Sequence, residues 1–219
     1  MKTLCVCAVL LAYPEAELLA ALPELAAALD AERPLPRALH AELAGLLDEL
    51  RREPLTASQE RYVALFDRSR ALSLHLFEHV HGESRDRGQA MVDLASMYQA
   101  RGLAVDGHEL PDYLPAFLEF ASLLPAPEAR GLLGESADIL RALGERLAVR
   151  GSRYAAVFAA LLAIAGERGL AVERAARPQA GEEDSPEAID RSWMEQPVTF
   201  GGASPQVAPV HVYRKGAAS

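Results

Sequence analysis

Very little of this chain suits a β-sheet. Aromatic residues make up only 6% of its 219 positions, and Val and Ile are scarce. Those are the residue types that strands prefer. Basic blocks are missing as well. Against 31 Asp and Glu there are 22 Lys and Arg, a net charge of −9. Phosphate affinity comes from Lys and Arg, so nucleic acid is excluded as a partner class. Anionic membrane surfaces are disfavoured for the same reason. No apolar run reaches the roughly 18 residues that cross a bilayer, so no stable membrane insertion is expected. A basic or amphipathic peptide fits the charge better.

Cysteine occurs twice, at Cys5 and Cys7. Positions i and i+2 of a helix point in different directions, which argues against a disulfide between them. The pair reads as buried, reduced thiols, and that favours the cytoplasm. There is no C-x-x-C pattern for metal or redox work. Phosphate-loop, dinucleotide and nucleophile-elbow motifs are also absent. Residues 3–12 (TLCVCAVLLA) imitate a signal-peptide core, but Tyr13-Pro14-Glu15 is no small-x-small cleavage site. Apolar residues also continue periodically past Pro14, so this stretch is expected to be the first helix of a folded domain.

What is present is a helix composition. Ala and Leu dominate, and 50% hydrophobic residues support one sizeable core. Residues 2–13 read as a first helix, and Pro14 stops it and opens the next. Leu18, Leu22, Leu25 and Leu29 recur at helical spacing, as do Leu39, Leu43, Leu46, Leu47 and Leu50 after Pro34 and Pro36. Thr56 and Gln59 suggest a capping box for a helix carrying Tyr62, Leu65 and Phe66. Ser84 is placed to cap a helix running to Arg101, with Met91, Leu94, Ala95 and Tyr98 inward. Asp112 is expected as the N-cap of the next, with Pro115 in its first turn. Two further helices are expected over about 126–149 and 152–168. The predicted fold is all-α, a single-domain helical bundle over residues 1–170.

From residue 171 to 219 a flexible acidic tail is predicted. Beyond Pro178 it is rich in Pro, Gly, Glu, Asp and Ser, too polar to offset its ordering entropy. A short helix around 185–200, with Trp193, interrupts it. Trp193 reads as a docking element or as a cover for the domain's own surface.

The densest chemistry lies between Leu74 and Gly88. Three histidines (His75, His79, His81) sit there with Glu78, Glu83, Asp86, Arg85 and Arg87. His75-Leu-Phe-Glu78-His79 spells H-x-x-E-H, the inverted zinc-peptidase pattern. On one helix the two histidines would share a face and Glu78 could activate a zinc-bound water. A zinc-dependent hydrolase is therefore one alternative. Its third ligand, for example Glu119, is singled out by no motif. The other reading is a polar helix face, in which the histidines hydrogen-bond locally or contact a peptide. Arg85 and Arg87 are expected to pair with Glu83, Asp86 or a partner's carboxylates. A helical scaffold that docks through the Trp193 segment is a third reading.

Several segments carry a family resemblance. Tyr62-Val-Ala-Leu-Phe66-Asp67 and Ser73 through Met91 resemble the nitrate reductase molybdenum cofactor assembly chaperones of the NarJ type, also called delta subunits. Leu11-Ala12-Tyr13-Pro14, Leu110 through Pro115 with Phe117-Leu118-Glu119-Phe120, and Trp193 through Phe200 agree in order. The resemblance implies a cytoplasmic, all-helical, non-catalytic chaperone of the redox-enzyme maturation type, with no permanently bound cofactor. It implies as partner the catalytic molybdenum subunit of respiratory nitrate reductase, bound through its N-terminal segment. The client would be held until the molybdenum cofactor and iron–sulfur cluster are inserted, with cofactor delivery proteins as further partners. The expected peptide contacts are Tyr62, Phe66, Glu78, His79, His81, Glu83, Arg85, Arg87, Asp112 and Tyr113. The cysteine pair is a departure from the family's pattern.

The domain boundary yields a first prediction. Deleting residues 178–219 is expected to leave the thermal midpoint, followed by circular dichroism, nearly unchanged. Unfolding on deletion would make Trp193 and Phe200 core residues.

Overall fold

The computed structural model describes residues 1–32, 35–80, 85–105 and 109–171. The expected tail, apart from Ala171, lies outside these residues, as do the Ser84 cap, His81, Glu83 and Trp193. The described residues form nine α-helices and no strand. They are α1 (Lys2–Leu11), α2 (Ala16–Glu32), α3 (Arg37–Arg52), α4 (Leu55–Tyr62), α5 (Arg85–Ala100), α6 (Leu114–Leu123), α7 (Ala126–Glu135), α8 (Ala137–Val149) and α9 (Ala155–Ala165).

Two helices form the centre. α9 reads AAVFAALLAIA, with no polar face, and eight of its eleven residues are buried. A helix that is apolar all round needs neighbours on every side. It has them in α8, α7, α3 and α1. α1 is the second, packed on α6, α2 and α9. The stretch that imitates a signal core is thus a core helix, with Leu4, Cys7, Leu10 and Leu11 fully enclosed. Each such leucine contributes roughly 1.5–3 kcal/mol of burial free energy. The one polar group α1 buries, the Thr3 hydroxyl, donates to Glu32 Oε2 at 2.9 Å. Among the described residues no helix is long and apolar enough to cross a membrane.

Several local expectations need correction. Thr56 and Gln59 form no capping box. α4 starts after Pro54, whose carbonyl accepts the Ala57 and Ser58 amides, and no side chain caps it. Gln59 instead donates its Nε2 to the Pro14 carbonyl at 3.0 Å, tying α4 to the α1–α2 turn. The helix expected over 126–149 breaks at Ser136, which leaves helical geometry at φ −99° and ψ 5°. Both halves pack on α9. A straight 24-residue helix would run about 36 Å and could not wrap one short partner. The last helix is Ala155–Ala165, shorter than 152–168, because Gly166 turns left-handed at φ 80°. Cys7 is buried and its thiol is pushed up to about 12 by desolvation, with Cys5 adding to it. Cys5, expected to be buried, is exposed, and both thiols are free.

α8 and α9 approach closely at Gly144. A β-carbon there would lie 2.8 Å from Phe158 Cβ and 2.6 Å from Leu170 Cδ2. Phe158 Cβ is fixed by its backbone and cannot swing aside. At Gly45 the obstacle is the mobile end of Arg153, at 2.8 Å. Gly144→Ala should therefore lower stability by about 1–2 kcal/mol in urea titrations, overpacking outweighing the helix-propensity gain. Gly45→Ala should be neutral or stabilising. Equal behaviour of the two variants would refute this account of the contact.

Candidate functional site

α4 does not end at Tyr62 in the ordinary way. Its last turn widens into a π-helical turn, Val63–Asp67. Such turns recur at functional sites because they re-aim side chains. Here Tyr62 and Phe66 both face inward, with ring centroids 4.9 Å apart, and Phe66 meets Tyr154 edge-on at 5.2 Å. The chain then leaves helical geometry, through one-turn 3₁₀ segments at Arg70–Leu72 and Leu76–Glu78.

Between these segments the backbone is extended, and it pairs with the start of α6. Leu114 N donates to Leu74 O at 2.8 Å, and Leu76 N donates to Asp112 O at 3.0 Å. This antiparallel bridge joins His75 to Tyr113. Asp112 fastens it. Its side chain is fully buried, and Oδ2 accepts the Phe77 amide at 3.0 Å while Oδ1 lies 3.3 Å from His75 Nδ1. Asp112 is therefore not the N-cap of α6. That position is Tyr113. The hydrogen bond to Asp112 raises the His75 pKa, against a lowering by burial.

Tyr113 extends the network. Its hydroxyl lies 3.2 Å from the Tyr62 hydroxyl, and Tyr62 donates to the Leu11 carbonyl at 2.9 Å. A carbonyl can only accept, so the Tyr62 proton is committed and Tyr113 donates to Tyr62. Burial holds both phenols above their usual range. On the other side Tyr98 of α5 donates to Pro111 O at 2.8 Å and packs on Phe120 at 4.5 Å.

These contacts enclose a groove of about 320 Å³. Its walls are Tyr13, Tyr62, Phe66, Leu74, His75 and Tyr113, with Ser73, Asp67 and Glu109 completing the lining. Of the expected peptide contacts, the fold brings Tyr62, Phe66 and Tyr113 together here. Asp112 stands behind them as a buried anchor. Glu78 and Arg87 pair with each other at 3.3 Å and do not line the groove. Arg87 thus pairs with Glu78, while Glu83 lies outside the described residues. His79 Nε2 donates to the Ser73 carbonyl at 2.8 Å, the local hydrogen bond anticipated as one alternative. Arg85 contributes its backbone to the start of α5, while His81 and Glu83 fall outside the described residues. A second hollow of about 540 Å³ lies over the alanine face of α9, beside Leu39, Glu42 and Leu170, and contains none of the expected contacts.

The zinc reading fails on geometry. His75 is extended, at φ −90° and ψ 108°, so H-x-x-E-H is not one helical face. Asp112 and the Ser73 carbonyl each engage a ring nitrogen of its two histidines. Among the described residues no group of His, Cys, Asp and Glu is arranged to hold a metal. Glu119 is exposed on α6. Residue reasoning missed Tyr13, Asp67, Ser73, Leu74 and Glu109 as groove residues. Tyr13 and Asp67 did lie inside the resembling segments, whereas Glu109 carries no local signal.

A family profile described as "Nitrate reductase delta subunit" matches residues 16–160. The chain is 46% identical over 194 residues to the nitrate reductase molybdenum cofactor assembly chaperone NarJ of Escherichia coli K12, covering 87% of this chain and 81% of that protein. It is 47% identical over 149 residues to the probable assembly chaperone NarW of the same strain, covering 67% and 64%. To the probable NarJ of Bacillus subtilis 168 it is 31% identical over 154 residues, covering 70% and 83%.

The clasp is testable through Asp112. Asp112→Ala removes the acceptor of the half-buried Phe77 amide and the partner of His75, and should cost about 1–3 kcal/mol in urea titrations. Asp112→Asn keeps an acceptor and should cost less. A histidine raised by its partner contributes stability that is present below the unfolded value and lost as pH rises through the folded one. The wild type should therefore lose this increment above the His75 midpoint, and Asp112→Asn should not. In NMR titrations the His75 midpoint should exceed about 6.5 in the wild type and fall in Asp112→Asn. A wild-type midpoint at or below that value means that the pair is not formed.

Proposed function

The chain belongs to the nitrate reductase delta-subunit family, and from that premise we propose that it binds the N-terminal segment of the catalytic subunit of a respiratory nitrate reductase. It holds that subunit while the molybdenum cofactor and iron–sulfur cluster are inserted, before the membrane anchor docks. The family consists of assembly factors, and the protein is not an enzyme.

One observation supports the reading above others. Tyr62 and Phe66 from one segment and Tyr113 from another meet in one open aromatic groove, with no metal-binding group beside it among the described residues. A peptide segment suits such a groove. Apolar anchors enter it, and the polar rims fix register. Three anchors would contribute roughly 1.5–3 kcal/mol each before the cost of association, which is compatible with micromolar or tighter binding. In this reading residues 1–170 carry client binding, and the segment around Trp193 is a separate docking element. The protein acts in the cytoplasm, holds no cofactor permanently, and meets cofactor delivery proteins while the client is bound.

Calorimetry with a synthetic peptide of the catalytic subunit's N-terminal segment tests this. The native peptide should bind at micromolar strength and a scrambled one at least about tenfold more weakly, a difference of about 1.4 kcal/mol. Equal binding of the two peptides sinks the reading.

A further inference from the structure

We infer that the Tyr62–Tyr113 groove selects a positively charged side chain, Lys or Arg, of the bound peptide, which the Asp67 and Glu109 carboxylates hold against the rings of Tyr13 and Tyr113. This rests on the client-binding reading and adds the chemistry of the residue that the groove accepts.

The two acids come from different places. Asp67 ends the π-helical turn, and Glu109 precedes the start of α6. Their meeting in one groove is a product of the fold, not of a charged helix run. Both are exposed, and neither has an ion pair or hydrogen bond among the described residues. Elsewhere the protein answers its acids with arginine: Glu49 and Glu53 with Arg61, Glu78 with Arg87, Glu128 with Arg101. Among the described residues no Lys or Arg lines this groove, and the imidazole of His75 turns its Nδ1 to Asp112. Both carboxylates also add to the effect of burial on the Tyr113 hydroxyl, raising its pKa, so their fields converge on that wall.

The rest of the lining suits a long cationic side chain. Lys and Arg bury an aliphatic stem along apolar surface and keep the charged head near water. Phe66 and Leu74 supply the apolar wall, and the acids stand on exposed segments. Tyr13 is 43% exposed, a ring open to contact with a cation. The volume of about 320 Å³ is at the lower end for small-molecule sites and fits a few side chains rather than a large cofactor. An apolar side chain alone would cover two carboxylates without giving them a partner, which is costly. An anion would be repelled.

Two arms test the inference on the full chain. In the first, the catalytic subunit's N-terminal peptide is compared with versions in which single Lys or Arg residues become norleucine or citrulline. Each is titrated into the wild type and into Asp67→Asn/Glu109→Gln. One neutral replacement should weaken wild-type binding about five- to tenfold, and the double variant should lose a similar factor with the native peptide. The two losses should not add, which marks a direct contact. In the second arm, N-acetyl-arginine amide and its citrulline counterpart are titrated and followed by NMR at Tyr13, Asp67 and Tyr113. The arginine compound should shift these signals in the wild type only, and the citrulline one in neither protein. Circular dichroism of the double variant should match the wild type, since both positions are exposed. Peptide binding that ignores every charge replacement would overturn the cation preference and leave the client reading standing. A groove that answers to the arginine compound while the peptide fails to bind would support the preference and remove the client reading. Equal responses to the two amides would also overturn it.

Discussion

Asp112 is a fully buried carboxylate in a part of the fold with few other buried polar groups. A charge taken out of water is tolerated only when its oxygens are occupied. Here both are: one by the Phe77 amide and one by the His75 ring. Its backbone carbonyl adds a third tie, to the Leu76 amide. One residue therefore sets the register of 74–76 against 112–114. A slip by one position would turn His75 and Tyr113 to opposite faces, because side chains alternate in extended chain. The groove walls exist in their present arrangement because this register is fixed.

From that clasp the order spreads by hydroxyl groups. Tyr113 reaches Tyr62, and Tyr62 reaches the last carbonyl of α1. Tyr98 links α5 to the same strip through Pro111. The aromatic wall is thus tied to α1, one of the two core helices, while its own faces remain in the open groove. A groove built this way is preorganised. Under the proposed function a bound peptide would meet rings that are already held, so less rotamer freedom would be lost on association.

Much of this was legible in the sequence, and the boundary of legibility is physical. Leu43, Leu46, Leu47 and Leu50 announce α3 by spacing, and they are buried as the spacing demands. The all-apolar run of α9 announces a core helix in the same manner. What could not be read is set by distant partners. Nothing local says that Ser136 breaks a helix, because the cause is the packing of α7 and α8 on α9. Nothing local says that Gln59 serves the Pro14 carbonyl rather than a cap. Asp112 before Tyr113-Leu114-Pro115 has every mark of an N-cap, yet its carboxylate is claimed by residues some 35 positions earlier in the chain. Tyr62, Phe66 and Tyr113 were recognisable as a set through the family resemblance. Their convergence with Asp67 and Glu109 was not, since that rests on tertiary register alone.

The H-x-x-E-H pattern shows how the same residue types are put to another use. Chelation by two histidines four apart requires a regular helix between them, so that both rings lie on one face. Leu72 and Leu74 to Leu76 instead give an extended and 3₁₀ path, because this segment must pair with 112–114. Once it does, His75 becomes the partner that a buried carboxylate needs, and His79 caps the carbonyl of Ser73. Glu78 is then free to meet Arg87 at the start of α5. Each of the three residues of the pattern holds a different local joint, His75 in the groove wall and Glu78 and His79 outside the lining. The pattern is real, and the backbone conformation beneath it decides that its chemistry is positioning rather than metal binding.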